Sequence, residues 1–596
     1  MPFADLQQFL RALEEAGQLR RVSVEVDPEL EITEIATRMI REGGPALLFE
    51  RVKGSPYPLA INILGSAERI KMALGNEPAA AGKELISFAE RINPPSFKRL
   101  WSAKGQALRL FRATRPRVLR SSIAQHVSET PNLSTLPILK CWPEDGGRFI
   151  TYPLVLTRSP LSGRSNLGIY RMQVHSPATA GLHWQIQKGG GFHYAEAEAL
   201  QQPLPITVAL GGDPVLMLAA VLPLPEGIEE LLFAGILRGT PTPMVRSHTS
   251  GSLVPANAEF LLEGEVLPGE RLSEGPFGDH FGHYSTASPF PVMRIKTVTH
   301  RRNPVYPAAI VGMPPQEDRY LGDAAQEFLN PLIKLIRPEV EDLWAYYETG
   351  FVNLLVASVR TRYTKEPMKT ALGLLGEGQL SLSKCIILVG PGVNVRSFPD
   401  VLTEVRRHFN AERDFLLLPR VPLDTLDFTS FTMHLGSKMV LDATPKENFR
   451  PGDPFVLPAD PTSFERRVVR WKLLEGAMLA VQLRDDGRRL LERLASAPPL
   501  QGLKIIAGVS EDVDLDDPVS LLWGIFTRFD PARDVLFPHM RLVGASPVYR
   551  GPMAIDATYK PGYPPPLKMD PSIVRRVDQR WKEYFPAPID LQASEL

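Results

Sequence analysis

A short β-strand pattern occupies residues 165–173, which read Ser-Asn-Leu-Gly-Ile-Tyr-Arg-Met-Gln. A second motif, Glu-Gly-Pro-Phe-Gly-Asp, occupies residues 274–279. Together they place one guanidinium, that of Arg171, and two carboxyls, those of Glu274 and Asp279, in strand and turn contexts. A carboxyl pair can divide general-base and general-acid work, and an arginine offers a planar fork for a substrate carboxylate. The three residues therefore predict chemistry on a carboxylic acid.

The strand pattern does not decide how Asn166 and Arg171 could reach one site. Side chains alternate along a strand, so these two would face opposite sides. Either Gly168 marks a bulge, or an elongated ligand lies across the strand and meets both residues. The two carboxyls of the second motif are separated by a Gly-Pro step, which forbids a helix and must turn the chain if both are to reach one pocket.

The composition is that of an ordinary globular protein. The chain has 596 residues, of which 44% are hydrophobic and 22% charged, and 67 Lys and Arg residues balance 67 Asp and Glu residues. At about 100 to 200 residues per domain, this length predicts two to four domains, and the neutral balance gives no reason to expect a nucleic-acid partner. The two cysteines, Cys141 and Cys385, imply neither a disulfide framework nor a thiolate metal site. Because the N-terminus also lacks a signal-peptide pattern, we expect a cytoplasmic protein.

The most apolar run, residues 204–225, is long enough to raise the question of a membrane span. Gly-Gly-Asp-Pro at 211–214 interrupts it where a spanning helix would need continuity. The run therefore predicts a buried strand, a turn and a helix, and no transmembrane segment.

The patterning changes twice along the chain. Residues 4–16 predict an amphipathic helix at the start of an α/β layer. From about 120 to 310, short β-rich runs punctuated by Pro and Gly predict a barrel or a sandwich. Beyond Pro315, apolar strands alternate with helices, for example residues 384–389 followed by 399–409, which is typical of α/β domains.

This last region contains an internal sequence repeat. The matching pairs are 383–389 with 503–509, 408–414 with 528–534, and Met-Val-Leu-Asp-Ala-Thr at 439–444 with Met-Ala-Ile-Asp-Ala-Thr at 553–558. They predict a duplicated α/β unit. Lys438 precedes the last motif of the first copy and Pro552 that of the second, so only the first copy keeps a cation there. A final helix over 571–585, with one apolar stripe, either packs on its own domain or contacts another subunit.

Taken singly, the chemistry-bearing residues also have structural explanations. A lone arginine in a strand more often forms a surface ion pair, and a glutamate before Gly-Pro is often a solvated turn residue. His183 beside Trp184 is typical of a hydrogen-bonded core histidine. His280 and His283 could suggest a metal site, but the two intervening residues and the lack of a helical frame make that signal weak.

The pattern as a whole resembles the UbiD family of decarboxylases over almost the entire chain. The motifs that carry the resemblance are Asp5-Leu-Gln-Gln-Phe9, Gly44-Pro-Ala-Leu-Leu-Phe49, Asn166-Leu-Gly-Ile-Tyr-Arg171, Phe233-Ala-Gly235, Glu274-Gly-Pro-Phe-Gly-Asp279, Gly436-Ser-Lys-Met439 and Asp442-Ala-Thr444. The resemblance implies an α+β multidomain fold: an N-terminal α/β domain, a central split β-barrel similar to flavin reductases, and a C-terminal α/β domain with the duplication. The expected boundaries are 1–118, 119–315, 316–450 and, for the duplicated unit with its final helix, 451–596.

The resemblance also implies a cofactor, prenylated FMN, whose phosphate is held through a divalent metal, Mn²⁺ or another, with K⁺ nearby. It makes Asn166, His183 and Glu230 the metal ligands, and these mostly hard donors suit manganese or magnesium. The residues expected to line the flavin are Ile169, Tyr170, Arg171, His183, Trp184, Gln185, Lys188 and Gly189. Lys438 would approach from the C-terminal α/β domain, which predicts a site between that domain and the barrel.

Decarboxylation of an aromatic acid leaves an electron pair that the substrate's own π system cannot delocalise, so the cofactor would supply an electron sink. By resemblance, Arg171 holds the departing carboxylate and stays coupled to Glu274, while Asp279 returns the proton. Cinnamic-type decarboxylases carry Glu at the place of Asp279, and Asp resembles the quinone-biosynthesis branch that acts on hydroxylated aryl acids. We therefore expect a substrate of the 1,4-dihydroxy-6-naphthoate or 4-hydroxy-3-polyprenylbenzoate type, in menaquinone or ubiquinone biosynthesis.

The expected partners are the aromatic acid, a flavin prenyltransferase that supplies the cofactor, and further copies of the chain in a homo-oligomer. One rival hypothesis is a flavin-binding scaffold without turnover, which would predict a broken trio of Arg171, Glu274 and Asp279. Another is an NAD(P)H-dependent flavin reductase, which would need a nicotinamide site, and no Gly-x-Gly-x-x-Gly motif follows a strand.

Overall fold

The computed structural model describes residues 3–92, 97–185, 188–224, 228–446, 454–458, 460–463, 465–484 and 487–587. The chain divides into two compact units, one formed by residues 1–329 with 565–596 and the other by residues 330–564. No helix among the described residues combines the length and the apolar character needed to cross a bilayer.

The first unit begins with an α/β layer. Its elements are α1 (Leu6–Glu15), β1 (Leu19–Val26), α2 (Glu31–Arg41), β2 (Ala46–Val52), β3 (Leu59–Ile61), α3 (Ala67–Leu74), α4 (Pro78–Ile92) and α5 (Phe97–Thr114). The predicted first helix is confirmed: Asp5 caps it by accepting a hydrogen bond from the Gln8 amide, and its apolar stripe is buried. β1 and β2 run parallel on either side of α2, as in a βαβ unit.

The middle of the first unit is rich in strands. The elements are β4 (Arg117–Val118), β5 (Val127–Glu129), β6 (Phe149–Ile150), β7 (Pro153–Arg158), β8 (Ser165–Ile169), β9 (Met172–Ser176), β10 (Thr179–Leu182), α6 (Gly189–Ala199), β11 (Leu204–Leu210), α7 (Pro214–Ala219), α8 (Glu230–Arg238), β12 (Pro243–Arg246), β13 (Leu253–Pro255), β14 (Phe260–Glu274), β15 (Phe277–Gly278), β16 (Tyr284–Ser285), β17 (Ser288–His300), β18 (Tyr306–Pro307) and α9 (Glu317–Ile336). β11, the following turn and α7 confirm the strand, turn and helix predicted for residues 204–225, of which Pro225 lies outside the described residues.

The main sheet of this region has apolar packing on both faces. Its strand order is β6-β9-β10-β17-β14-β11-β7-β8, with β5 paired to β17. On β7, Val155 belongs to one buried apolar cluster, whereas Leu154 and Leu156 belong to another. Successive side chains of a strand face opposite sides, so a sheet between two cores needs nearly continuous apolar strands.

The predicted split barrel is not closed in the described part of the chain. β6 and β8 end the strand order, and no pairing joins them. The chain runs from β8 to β9 through Tyr170 and Arg171, which belong to neither strand. The coarser prediction of a mixed α and β multidomain fold is confirmed, and the opening falls where the first motif carries its arginine.

The second unit contains two similar α/β sheets. The first copy comprises β19 (Val340–Ala345), β20 (Leu354–Val359), α10 (Glu366–Leu374), β21 (Cys385–Val389), α11 (Phe398–His408), α12 (Ala411–Asp414), β22 (Phe415–Pro422) and β23 (Leu435–Ala443). The second copy comprises β24 (Val468–Leu474), β25 (Met478–Leu483), α13 (Gly487–Ser496), β26 (Ile505–Val509), α14 (Pro518–Phe526), α15 (Pro531–Asp534), β27 (Val535–Leu536), β28 (His539–Val543), β29 (Ser546–Arg550) and β30 (Met553–Ala557).

The two copies agree in strand order and register, as the duplication predicts. The orders are β19-β20-β21-β23-β22 and β24-β25-β26-β30-β27. Cys385 pairs with Met439 in the first copy, and Ile505 pairs with Met553 at the corresponding place in the second.

The last helix, α16 (Pro571–Tyr584), packs on its own unit. The Tyr584 hydroxyl and the Arg580 guanidinium donate to Glu31 on α2 at 2.5 and 2.6 Å. The helix thus contacts the N-terminal layer of the chain rather than the expected domain of residues 451–596, and contact with another subunit stays a prediction.

Candidate active site

Arg171 is buried and holds two carboxylates. Its Nε and Nη2 donate to the two Glu274 oxygens at 2.8 and 3.1 Å, and its Nη1 donates to Asp279. Nη2 also donates to Ser285 Oγ at 3.0 Å, and the guanidinium carbon lies 4.6 Å from the centre of the Phe277 ring. The structure thus joins the three residues of the two sequence motifs in one network.

Arg171 lies outside the strands, so the alternation of side chains along a strand does not apply to it. β8 ends at Ile169, and its pairing with β7 is regular through Gly168, so Gly168 forms no bulge. The Tyr170 side chain folds back over Gly168, where an added Cβ would lie 2.6 Å from the Tyr170 hydroxyl. Arg171 follows outside the ladder, which resolves the conflict with Asn166 without requiring a ligand across the strand.

The second motif turns as its Gly-Pro step predicts. β14 ends at Glu274, and Gly275 adopts φ +96°, a region that disfavours side chains. Asp279 lies four residues beyond Gly275, in a turn where its carbonyl accepts from the Gly282 amide at 2.9 Å. Both carboxyls therefore meet one guanidinium from opposite ends of a short segment.

The guanidinium keeps both carboxyls ionised. Burial alone would raise the pKa of Glu274, but the charge of Arg171 and the hydrogen bond from His183 lower it to about 2. Burial likewise opposes ionisation of Asp279, yet Arg171 and His280 hold its pKa well below the usual range. Burial works against the charge of Arg171, but the two carboxylates raise its pKa.

His183 joins the network through one ring nitrogen. Its Nδ1 lies 3.0 Å from Glu274 Oε2, and because Glu274 is ionised, Nδ1 is assigned as the donor. Burial and the charge of Arg171 lower the pKa of His183, so the ring is neutral. Among the described residues, its buried Nε2 has no hydrogen-bond partner. A neutral imidazole fixed by a carboxylate at one nitrogen, with a lone pair on the other, is a common metal ligand.

A second cluster surrounds the start of α6. The Tyr170 hydroxyl accepts from the Gly190 amide and from Asn166 Nδ2, each at 3.2 Å. A Cβ at Gly189 would lie 2.1 Å from Asn166 Oδ1, and one at Gly190 would lie 2.7 Å from Trp184 Nε1. Only glycines fit beside these side chains, and the Gly190 amide is already bound to the Tyr170 hydroxyl.

Two dipeptides link the clusters. In each dipeptide, the aromatic side chain lies at the start of α6 and the other side chain bonds Glu274; the dipeptides are Tyr170-Arg171 and His183-Trp184. The His183 amide donates to the Arg171 carbonyl at 3.2 Å. The other residues predicted to line a flavin lie beside them: Ile169 ends β8, and Gln185 and Lys188 precede α6.

The third predicted metal ligand, Glu230, is the first residue of α8. Its Oε2 accepts from the Leu167 amide at 2.9 Å, next to Asn166 in sequence. Burial raises the pKa of Glu230 to about 7, although the Leu167 amide acts in the opposite direction. Within the described residues, no group of three or more His, Cys, Asp or Glu side chains is arranged to hold a metal ion. The metal set implied by the resemblance stays a prediction.

Lys438 belongs to the other compact unit. It is buried on β23, where its Nζ donates to the Ser381 carbonyl. Burial lowers its pKa to about 8. Its approach to a flavin stays a prediction.

Sequence reasoning missed the residues that fix the turn of the second motif. Asp145 accepts from the Trp142 amide and, with its other oxygen, from the Gly278 amide, both at 2.8 Å. Gln173 Oε1 accepts from the Gly275 amide at 2.7 Å. Burial raises the pKa of Asp145 to about 7, while its backbone donors oppose that rise. Asp145 bonds to a residue 133 positions away, so no local sequence pattern predicts this contact.

Three family models match the chain. They describe the N-terminal domain of 3-octaprenyl-4-hydroxybenzoate carboxy-lyase at residues 10–89, its Rift-related domain at 117–314, and its C-terminal domain at 319–443 and 474–557. A 4-hydroxybenzoate decarboxylase subunit from Chlamydia pneumoniae is 36% identical over 592 residues, which are 98% of each chain.

Solved structures show the same architecture. The closed form of vanillic acid decarboxylase from Sedimentibacter hydroxybenzoicus matches with a TM-score of 0.67 and 28% identity, over 78% of this chain and 98% of that one. The UbiD-class enzyme HmfF from Pelotomaculum thermopropionicum, in complex with FMN, matches with a TM-score of 0.63 and 28% identity, over 77% and 98%. An evolved dimeric form of HmfF in complex with prFMN matches with a TM-score of 0.60 and 25% identity, over 78% and 98%. About a fifth of this chain thus has no counterpart in these enzymes.

Proposed function

This chain belongs to the UbiD family and is a carboxy-lyase of the UbiD type, and on that premise we propose that it decarboxylates a hydroxylated aromatic acid with the help of prFMN. The observation that carries the proposal is the buried network in which one arginine, Arg171, serves both Glu274 and Asp279.

The residues present fit the cofactor and its ions. The N-terminus of α6 lies beside Asn166, and a helix N-terminus favours an anionic group such as a phosphate. His183 Nε2 is buried and has no hydrogen-bond partner in the described part of the chain, and Asn166 and Glu230 add oxygen donors, a set suited to Mn²⁺ or Mg²⁺. Tyr170, Trp184 and the dipeptides that carry them would hold the flavin next to Arg171. When bound, prFMN supplies the electron sink that decarboxylation of an aryl acid requires.

The charges around Arg171 indicate how a substrate enters. The Arg171 guanidinium is shared between two carboxylates, His183 is neutral, and Asp279 also bonds His280 at 2.7 Å. A substrate carboxylate would add a further negative charge. Since Glu274 holds Arg171 through two hydrogen bonds, we propose that the substrate displaces Asp279 from Nη1.

Displacement from Arg171 would change the protonation state of Asp279. Burial raises the pKa of Asp279, Arg171 and His280 lower it, and loss of Arg171 would therefore raise it. Asp279 would therefore take up a proton from solvent as the substrate carboxylate takes its place. When the carboxylate leaves as carbon dioxide, Asp279 delivers its proton to the ring carbon that carried the carboxylate. Arg171 can then return to Asp279.

Two hydroxyaryl acids compete as substrates, a dihydroxynaphthoate and a polyprenylated 4-hydroxybenzoate, and the duplicated second unit favours the naphthoate weakly. An apolar groove flanks α8 and is relevant to the tail-bearing acid. It is lined by Leu74, Pro78, Leu218, Leu222, Leu237, Leu321, Ala324, Ala325 and Phe328. A cavity of about 160 Å³ adjoins it at Leu74, Leu237 and Phe328, and its lining also includes the charged residues Glu77, Glu84 and Arg109.

The test is to coexpress the chain with a flavin prenyltransferase, record the mass and absorption spectrum of the released cofactor, and measure carbon dioxide release from both acids. We expect prFMN in the protein and release from at least one acid. A loaded protein that releases carbon dioxide from neither acid would contradict the proposal. Anaerobic NAD(P)H oxidation, measured on the same sample, would instead support a flavin reductase.

A further inference from the structure

The two copies of the second unit contact each other through equivalent residues. Lys384 precedes β21 and Lys504 occupies the same place before β26; Phe409 precedes α12 and Phe529 corresponds to it before α15. Lys384 Nζ lies 5.3 Å from the centre of the Phe529 ring. Lys504 Nζ donates to the Phe409 carbonyl at 2.9 Å. Each lysine therefore reaches across to the equivalent phenylalanine of the other copy.

The short helices α12 and α15 each pack on the other copy as well. α15 of the second copy packs on β22 and β23 of the first, and α12 of the first copy packs on β29 of the second. Asp530, the N-cap of α15, accepts from Ser437 N at 3.0 Å and from Ser437 Oγ at 2.8 Å. Arg550 donates to both oxygens of Glu412 on α12, each at 2.9 Å.

This reciprocity is the property of a twofold, isologous interface, in which residue i contacts j and j contacts i. Such a face is self-complementary. If two first copies met through it, Lys384 of one would stand where Lys504 stands and could donate to the Phe409 carbonyl of the other. Asn410, the N-cap of α12, would stand where Asp530 stands, and its side-chain oxygen could accept from Ser437. The Lys504–Phe409 and Asp530–Ser437 contacts thus have counterparts within the first copy alone, whereas the Arg550–Glu412 contact has none, because Gly436 corresponds to Arg550.

We propose that the second copy acts as the first copy's dimer partner within one chain: it covers a face through which two first copies would otherwise pair, and it fixes the strand that carries Lys438. About a fifth of the chain has no counterpart in the shorter solved relatives, which leaves room for such an added partner.

The second part of the proposal rests on Asp530. Ser437 is buried, and Asp530 supplies the acceptor for its amide and hydroxyl. A buried amide without an acceptor costs free energy comparable to a lost hydrogen bond. Asp530 is therefore a positioning residue that holds β23 in place one residue before Lys438.

The first experiment deletes residues 454–564 from the full chain and joins the ends by a flexible glycine-serine linker. Native mass spectrometry and light scattering then count the chains per particle, and circular dichroism checks folding. We expect the deletion variant to contain twice as many chains as the full-length protein. Ser437→Arg in the deletion background should return the number to that of the full-length protein. A folded deletion variant with the full-length number of chains would overturn the proposal.

A second experiment decides the matter if the deletion variant does not fold. In the full chain, Asp530→Ala removes the N-cap of α15 together with the bonds to Ser437, whereas Asn410→Ala removes only the equivalent cap of α12. Hydrogen exchange of the peptide 435–443 should become about tenfold faster in Asp530→Ala and stay unchanged in Asn410→Ala. Equal exchange in both variants would overturn the proposal. Neither readout uses turnover, so the result is independent of the proposed function.

Discussion

Two buried arginines of the first unit hold carboxylates in different ways. Arg238 donates from Nη2 to both oxygens of Asp213 at 2.7 Å and from Nη1 to Thr242 Oγ1 at 2.9 Å. One positive charge meets one negative charge, and Asp213 also caps α7. The pair is complete in itself, and its role is to join α7 to α8.

The charges of the Arg171 cluster are not paired one to one in this way. The cluster holds two carboxylates against one guanidinium, with His280 also bonded to Asp279, and the buried His183 Nε2 has no hydrogen-bond partner among the residues that the structure describes. Buried charge without full compensation is costly, and ionisable groups with strongly shifted pKa values concentrate at functional sites. The two arginines therefore differ in charge: Arg238 meets one carboxylate, whereas Arg171 is shared between two.

The largest expected effect comes from the carboxyls of the unbalanced cluster. Glu274→Gln and Asp279→Asn should each lower kcat by about two to four orders of magnitude, or about 3–5 kcal/mol of barrier, because a general acid or its supporting charge is lost. Both variants should still bind the flavin, as measured by absorption after desalting. Glu263, a buried carboxylate bonded to Ser247 and Thr249, is the matched control, and Glu263→Gln should keep native turnover. Near-native kcat in either site variant would remove its proposed role.

Exchanging the two arginines for lysine tests the comparison itself. Arg171→Lys keeps the charge but loses the fork, so kcat/KM should fall by about 10²- to 10³-fold in steady-state kinetics. Arg238→Lys should leave the kcat/KM of the folded protein unchanged and lower its free energy of unfolding by about 1–3 kcal/mol. If both variants lost activity equally, charge balance would not distinguish the two sites.

Acid unfolding should report the same network. The folded-state pKa of Glu274, about 2, lies below its ordinary value of 4.5. Its contribution to stability is therefore present above pH 4.5 and is lost as the pH falls towards 2. A difference of this size corresponds to about 3 kcal/mol. Denaturant unfolding between pH 5 and about pH 2.5 should show a shallower pH dependence for Glu274→Gln than for the native chain, and equal slopes would argue against the ion pair.

The balanced clusters of the second unit should give the smallest effects. Lys446 Nζ donates to the Asp442 carbonyl at 2.8 Å, and Lys560 Nζ donates to the Asp556 carbonyl at 2.7 Å. Each lysine closes an Asp-Ala-Thr-x-Lys loop of its own copy. Lys446→Met and Lys560→Met should each cost about 1–2 kcal/mol of unfolding free energy in denaturant titrations, with little change in turnover. A large loss of turnover in Lys560→Met would give the second copy a catalytic part that this account does not assign.

The sequence predicted regular elements well and their distant contacts poorly. The first helix, the strand, turn and helix over residues 204–225, and the duplication carry local periodicity or an internal match, so they could be read directly. The strand break at Tyr170 could not, because it depends on the Gly190 amide twenty positions away. The supporting bonds of Asp145 and Gln173 likewise join segments more than a hundred positions apart.

The most direct test of the account is the number of protons taken up when a hydroxybenzoate binds the flavin-loaded protein at pH 7, measured by calorimetry in buffers of different ionisation enthalpy. If the carboxylate displaces Asp279 from Arg171, the native protein takes up about one proton per site and Asp279→Asn takes up none. No uptake by the native protein, or equal uptake by the variant, would contradict the account.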